Sequence, residues 1–222
     1  MANTLQLKRA LGLMMKNIRS DIMKVVLDDY TENPEMKIAK CGGVSHGADV
    51  SDIEEARERV QMFVDDGHWS TLEFADATFH VSGVSRSFLA QITRHRHASF
   101  MVKSQRYVDA SGEDMVEPET VQDALDDSYV FDAYYDYNQA TSKLISRLKE
   151  AGVPKEDYRF FLPIATTTEM YIKANLREWR HIIDLRGLNE HAQWEIRDFA
   201  QRALKKLYKV APSVFEDQYK EV

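Results

Sequence analysis

The sequence predicts an α+β fold in one domain spanning residues 1–222. Three observations carry this. Hydrophobic residues make up 44% of the chain and charged residues 29%, the balance of a soluble protein with a buried core. Segments of helical and of extended periodicity are both present, with helix in the majority. Strands do not alternate regularly with helices, which disfavours a doubly wound parallel sheet. Aromatic residues at 10% argue against disorder, and no internal repeat or low-complexity tract interrupts the chain.

The elements follow in order. Residues 1–20 place apolar residues at roughly helical spacing, with Lys8, Arg9, Lys16 and Arg19 among them, and form an extension of unclear role. They lack an apolar core followed by a small-residue cleavage site, so no signal peptide is expected. Residues 22–30, rich in β-branched side chains, read as a strand, and 36–41 as its partner. The glycines of CGGVSHG read as a turn. Ser51 and Glu54 have capping-box spacing ahead of a stripe at Ile53, Ala56, Val60, Phe63 and Val64, which predicts a helix over 52–65. A strand over 72–82 and a short helix from about Ser85 lead into a basic cluster. Residues 109–120 read as a loop. Val121, Leu125, Tyr129, Ala133, Tyr137, Leu144 and Leu148 predict a helix over 121–150, stopped by Gly152 and Pro154. A strand at 166–173 and helices at 175–186 and 191–210, the last ending before Pro212, complete the chain. Trp194 joins Leu204 and Leu207 as a core candidate, and His80 reads as structural.

Composition narrows the function. A net charge of −7 repels nucleic acid and anionic membranes, so neither is an expected partner. No run of about 18 apolar residues predicts a membrane span. Cys41 is the single cysteine, which excludes an internal disulfide and a multi-thiolate zinc site and fits a reduced, cytoplasmic protein.

Against that acidic background, residues 94–107, RHRHASFMVKSQRY, crowd Arg94, Arg96, Lys103 and Arg106 with His95 and His97. Guanidinium forks match phosphate oxygens, and Ser99 and Ser104 add hydroxyls. Ser104 and Arg106 point the same way if the piece is extended. A salt-bridged surface turn is the plainer alternative. Apolar residues on both sides (Phe88, Leu89 and Ile92 before; Phe100, Met101 and Val102 after) predict partial burial, and buried cations need anions. No metal is expected: His68, His80, His95, His97, His181 and His191 show no trusted ligand spacing, and arginines flanking His95 repel a cation.

The same segment resembles the RHRxxSxNxxSxRY signature of flavin-dependent thymidylate synthases, the ThyX family, with Met101 at the asparagine position. GHWSTLEF at 67–74 is similar to that family's GHxTxxEH, with Ser70 for Thr and Phe74 for His. Thr78, Phe79, His80 and Val81 follow in the same manner. YRFFLPIATTTEMYIKANLREWRHIIDLR at 158–186 and HAQWEIR at 191–197 resemble two later stretches. The resemblance covers roughly residues 60–215.

It implies a ThyX-like mixed α/β domain with a central, mostly antiparallel sheet flanked by helices. It also implies a homotetramer that makes dTMP from dUMP. Methylenetetrahydrofolate supplies the carbon, and FAD reduced by NADPH supplies the hydride. The residues it assigns to FAD are Ser70, Glu73, Arg94, His95, Arg96, Val102, Asn175, Leu176, Arg177, His181 and His191. Those assigned to dUMP are Gln91, Arg94, Val102, Lys103, Ser104, Gln105, Arg106, Arg159 and Arg186. Asn175 and Arg177, two apart, suit a helix N-terminus. Backbone amides of residues 102–105 can cradle a phosphate. The catalytic candidates are Arg186 and Ser104. A guanidinium beside the uracil would stabilise negative charge developing on the ring. Ser104 fits positioning better than attack, since no base is evidently placed to take its proton. Three alternatives stay open: a pyrimidine-nucleotide hydroxymethylase, a non-catalytic FAD- or nucleotide-binding relative, and a thiolate route. The last would need Cys41, far in sequence from every matched segment.

Overall fold

The computed structural model describes residues 22–222. The helical spacing and the extension at 1–20 lie outside them. Strands β1 (Lys24–Tyr30), β2 (Asp76–Ser85), β3 (Ser99–Val102) and β4 (Thr167–Asn175) form an antiparallel sheet in the order β1-β2-β4-β3. Edge strand β3 sets Ser99 opposite Lys173 and Val102 opposite Met170. The helices are α1 (Pro34–Gly43), α2 (Ile53–Asp65), α3 (Arg86–Ile92), α4 (Glu119–Ala124), α5 (Ser128–Glu150), α6 (Lys155–Tyr158), α7 (Leu176–Ile183), α8 (Trp194–Val210) and α9 (Pro212–Tyr219). This is the expected α+β class. None of the described helices is long and apolar enough to cross a membrane.

The described residues divide into two compact units. One holds residues 22–24, Ser82–Ser87 and Lys103–Thr168; the other holds Val25–Val81, Phe88–Val102 and Glu169–Val222.

In the larger unit, β2 alternates as a half-buried strand should, with Ala77, Phe79 and Val81 buried. Phe79 meets Trp179 edge-on at 4.8 Å between ring centroids, and Phe88 meets Phe199 at 5.1 Å. The buried Trp179 indole satisfies its N–H on the Ala77 carbonyl at 3.0 Å.

Four expectations in this unit are corrected. Residues 36–41 are not a strand but the middle of α1. Pro34 pre-sets the first turn, and Ile38, Ala39, Gly42 and Gly43 form a buried face. Gly42 and Gly43 are therefore not a turn. A Cβ at Gly42 would lie 2.4 Å from the Phe63 ring, so the glycine lets α1 close onto α2; the turn falls at Gly47, with φ +63°. Asp52 rather than Ser51 caps α2, accepting from the amides of Glu54 and Glu55 at 3.0 Å, while Ser51 Oγ donates to the Glu55 carboxylate at 2.9 Å. Trp194 is 40% exposed, so only Leu204 and Leu207 of that trio lie in the core. Pro212 ends α8 as expected and also opens α9.

In the smaller unit, the helix expected over 121–150 breaks. Asp127 accepts from the amide of Tyr129 at 2.8 Å and starts α5 afresh. The expected stripe is not a core face: Val121 on α4 and Tyr129, Tyr137 and Leu144 on α5 are exposed, and Ile145 is the residue α5 buries. Gly152, at φ +78°, ends α5 where expected. Lys149 of α5 reaches Asp109 at 2.5 Å and sits 5.5 Å from the buried Tyr158 ring.

Candidate functional site

Two junctions in the larger unit place most of the candidate residues. At the first, β4 runs directly into α7. Asn175 Oδ1 accepts from the Glu178 amide at 2.9 Å and caps the helix, which puts Arg177 in its first turn. The Leu176 side chain is buried and its amide donates to the Ala75 carbonyl at 2.9 Å. Arg177 pairs with Glu73 at 2.5 Å, so these two assigned residues meet. Ser70 is exposed on the tight turns of 69–74, next to the 57%-exposed Phe74 that stands where the family has histidine.

At the second junction α3 ends at Ile92 and the chain turns through Arg94, His95 and Arg96 before β3. The expected burial holds for His95 alone, 4% exposed, while Arg94 and Arg96 face solvent. No described acidic side chain pairs with either arginine. Met101, at the asparagine position, is 74% exposed on the edge strand.

Arg186 comes to this place from the other end of α7. Residues Asp184–Leu188 widen into a π turn, a distortion often found at functional sites. Gln201 holds the turn by donating to the Gly187 carbonyl at 3.0 Å. Arg186 Nε then donates to His95 Nε2 at 3.2 Å. Burial, then the Arg186 guanidinium and His181, push the His95 imidazole down to about 4, so it is neutral at pH 7. His181 is exposed with its ring 5.7 Å from that of His95. His191 stands far out in solvent, 3.7 Å from Glu190. Gln91 Nε2 reaches Gln193 Oε1 at 3.4 Å, and Gln193 also caps α8.

The smaller unit holds a second set. Lys103 pairs with Glu113 at 2.6 Å and Arg106 with Glu156 at 3.3 Å. Residues 104–108 are a turn rather than an extended piece: the Ser104 carbonyl accepts from the Val108 amide at 2.9 Å, and its hydroxyl accepts from the Arg106 amide at 3.3 Å. The shared direction expected for Ser104 and Arg106 therefore does not arise by strand alternation. Gln105 lies in this turn, and Val102 ends β3 just before it. Arg159 Nε donates to the Glu156 carbonyl at 3.0 Å. Arg86 is half-buried; burial, then the charge on Arg159, lower its pKa.

Three of these residues escaped the sequence reading: Glu178, Gln193 and Arg86. Glu178 had a legible signal, because Asn175 and Glu178 have capping-box spacing. His80 is tied to Glu169 at 2.7 Å and stacked on Tyr171, in keeping with a structural role. Among the described residues, no group of three His, Cys, Asp or Glu side chains is placed to hold a metal ion.

Residues 26–213 match a family model described as thymidylate synthase complementing protein. The flavin-dependent thymidylate synthase of Geobacter sulfurreducens is 37% identical over 206 residues, which cover 88% of this chain and 86% of that protein. That of Haloarcula marismortui is 33% identical over 236 residues, covering 87% and 94%. That of Mycobacterium tuberculosis is 38% identical over 170 residues, covering 71% and 68%. Likeness at this level, running through both junctions, makes the chain an enzyme. It belongs to the flavin-dependent thymidylate synthase family.

Proposed function

We propose that this chain makes dTMP from dUMP by reductive methylation, with methylenetetrahydrofolate as the carbon donor and FAD, reduced by NADPH, as hydride carrier. We take it to act as one domain over 1–222, as a cytoplasmic homotetramer. The observation that carries the reading is the turn at Arg94–Arg96. Two exposed arginines with no acidic partner among the described residues flank a buried neutral histidine that is bonded to a third arginine, Arg186. Unneutralised guanidiniums in an acidic protein suit phosphate oxygens.

The residues present fit FAD. Arg94 and Arg96 would take pyrophosphate oxygens, and the α7 N-terminus with Arg177 would favour negative charge. Ser70, Glu73, His181 and His191 are exposed polar groups able to contact a ligand. Leu176 could contribute only backbone, since its side chain is in the core. FAD, once reduced, supplies the hydride. The protein's part is to bind, orient and stabilise charge.

For dUMP, backbone amides within residues 102–105 and the Ser104 hydroxyl would meet the phosphate, with Lys103, Gln105, Arg106 and Arg159 nearby in sequence or unit. Arg106 is held by Glu156, but an exposed pair is worth only about 0–1 kcal/mol, so a phosphate can displace it. Gln91, Arg94 and Val102 complete the set carried over from the family. Arg186 would lie beside the uracil and stabilise negative charge as the ring gains electron density. The thiolate route is disfavoured, because Cys41, on α1, lies far in sequence from every matched segment.

The test is mass analysis of the product formed from dUMP, methylenetetrahydrofolate, NADPH and FAD. The mass of dTMP is expected; a hydroxymethyl product would move the reading to the related hydroxymethylase chemistry. A protein that takes up no FAD would overturn it. Arg94→Ala and Arg96→Ala should lose flavin while keeping the wild-type melting temperature, since neither side chain has an acidic partner among the described residues.

A further inference from the structure

We propose that Glu178 is a positioning residue for Arg186, acting through the tautomer of His95. The proposal rests on the reading of Arg186 as the group beside the uracil ring.

The argument begins with donors and acceptors. A guanidinium has no acceptor, so its Nε–H must donate. Arg186 Nε lies 3.2 Å from His95 Nε2, which must therefore present its lone pair. A neutral imidazole carries its single proton on the other nitrogen, so Nδ1 bears the hydrogen. Nδ1 is 3.4 Å from Glu178 Oε1. The His95 side chain is 3% exposed and that of Glu178 8%, so water has little access to stand in for either. Because the imidazole is neutral, the contact is a carboxylate facing an N–H dipole, not a full ion pair.

The alternative tautomer would set Nε2–H against the Arg186 Nε–H, donor against donor, and leave the Nδ1 lone pair facing the carboxylate. Both ends would be repulsive. Glu178 selects the one tautomer that can hold Arg186. Its own place is fixed from behind, since its amide is bonded to Asn175 Oδ1 in the first turn of α7. Arg186 is thus supported on one side by the π turn and on the other by the ordered row Glu178, His95, Arg186. A second ring, His181, lies edge-on to His95 at 5.7 Å between centroids.

A purely structural Glu178 would affect melting alone. A positioning Glu178 affects the histidine tautomer and turnover together. The test is ¹⁵N NMR of uniformly labelled full-length protein, with His95→Gln used to assign the ring signals, alongside steady-state kinetics with dUMP. Wild type should show the Nδ1–H tautomer. Glu178→Gln, which keeps the side-chain size, should give a mixture, and Glu178→Leu should leave only the weaker preference that the Arg186 donor itself imposes. In both, kcat should fall by about tenfold to a hundredfold, the usual loss when a supporting partner is removed. Glu178→Asp should recover part of both readouts.

An unchanged tautomer in Glu178→Gln overturns the proposal. So does an altered tautomer with wild-type kcat. If Arg186→Ala keeps full turnover, the reading of Arg186 itself fails and the catalytic side of the proposal with it. The tautomer measurement would still report whether Glu178 sets the ring, so the two failures are told apart.

Discussion

Replacing Gly42 by alanine should destabilise the protein by about 1–2 kcal/mol, although helix propensity alone favours alanine. The added methyl would lie 2.4 Å from Phe63 Cε2, 2.5 Å from Cζ and 3.2 Å from Thr71 Cγ2. Carbon atoms normally touch at about 3.5–4.0 Å, so the ring or α1 must retreat by about 1 Å. Phe63 is buried and cannot swing into solvent. Overpacking of this kind costs about 1–3 kcal/mol. The opposing gain is at most about 1 kcal/mol, and less in a final helical turn. For a chain of this size each kcal/mol moves the melting temperature by about 2–4 °C, so calorimetry should show a drop of about 2–8 °C. Phe63→Leu shortens the ring and should relieve the clash. The double variant should then be less destabilised than the sum of the singles by at least about 0.5 kcal/mol. A Gly42→Ala protein that melts at or above wild type would refute the packing argument.

Three further predictions concern charge. Glu35 is 3% exposed, accepts from the Ser213 amide at 2.8 Å and pairs with the half-exposed Arg57 at 3.1 Å. Glu35→Ala removes the partner of a part-buried donor and should cost about 1–3 kcal/mol in denaturant unfolding, whereas Arg57→Ala should cost less. The Lys149 ammonium, helped by the Ser111 amide and hydroxyl, holds the Asp109 carboxyl well below the usual carboxylate range. A depressed carboxylate adds stability above its unfolded value near about 3.9, and that stability is lost as pH falls toward the folded value. Asp109→Asn should therefore be less stable at neutral pH, with the gap closing below about pH 4 in acid titration. His95 is lowered to about 4, so between roughly pH 6.5 and 4 the unfolded chain binds more protons than the folded one. Stability should fall as pH drops through that window, and His95→Gln should flatten the slope.

How much of this was legible depended on whether the signal was local. The β2 alternation and the α2 stripe were readable because each buries one regularly spaced face. The 94–107 signature was readable because its chemistry is dense in sequence. The α1 region misled because isoleucine and lysine around 36–40 suit a strand as well as a helix, and the deciding fact, the approach of Phe63 to Gly42, is tertiary. The stripe on α5 has true helical spacing yet stays exposed, which periodicity alone cannot foresee. At the site, sequence named Arg186 and His95 without linking them, since 91 residues separate a pair that the fold brings to 3.2 Å. Glu178 was passed over because one carboxylate in a polar helix start looks like an ordinary cap.

The C-terminal helix carries a consequence of its own. Arg180 of α7 clasps Asp217 at 2.7 and 2.5 Å, and Gln218 Nε2 returns a bond to the Arg180 carbonyl at 2.9 Å while also reaching the Asp184 carboxylate. Asp184 opens the π turn that carries Arg186. Loosening α9 therefore cannot be a private event at the chain's end: it unties α7 and the turn in one step. In hydrogen exchange the amides of α7, the turn and α9 should open together as one cooperative unit, and a protease that trims α9 should change the site before it reaches it.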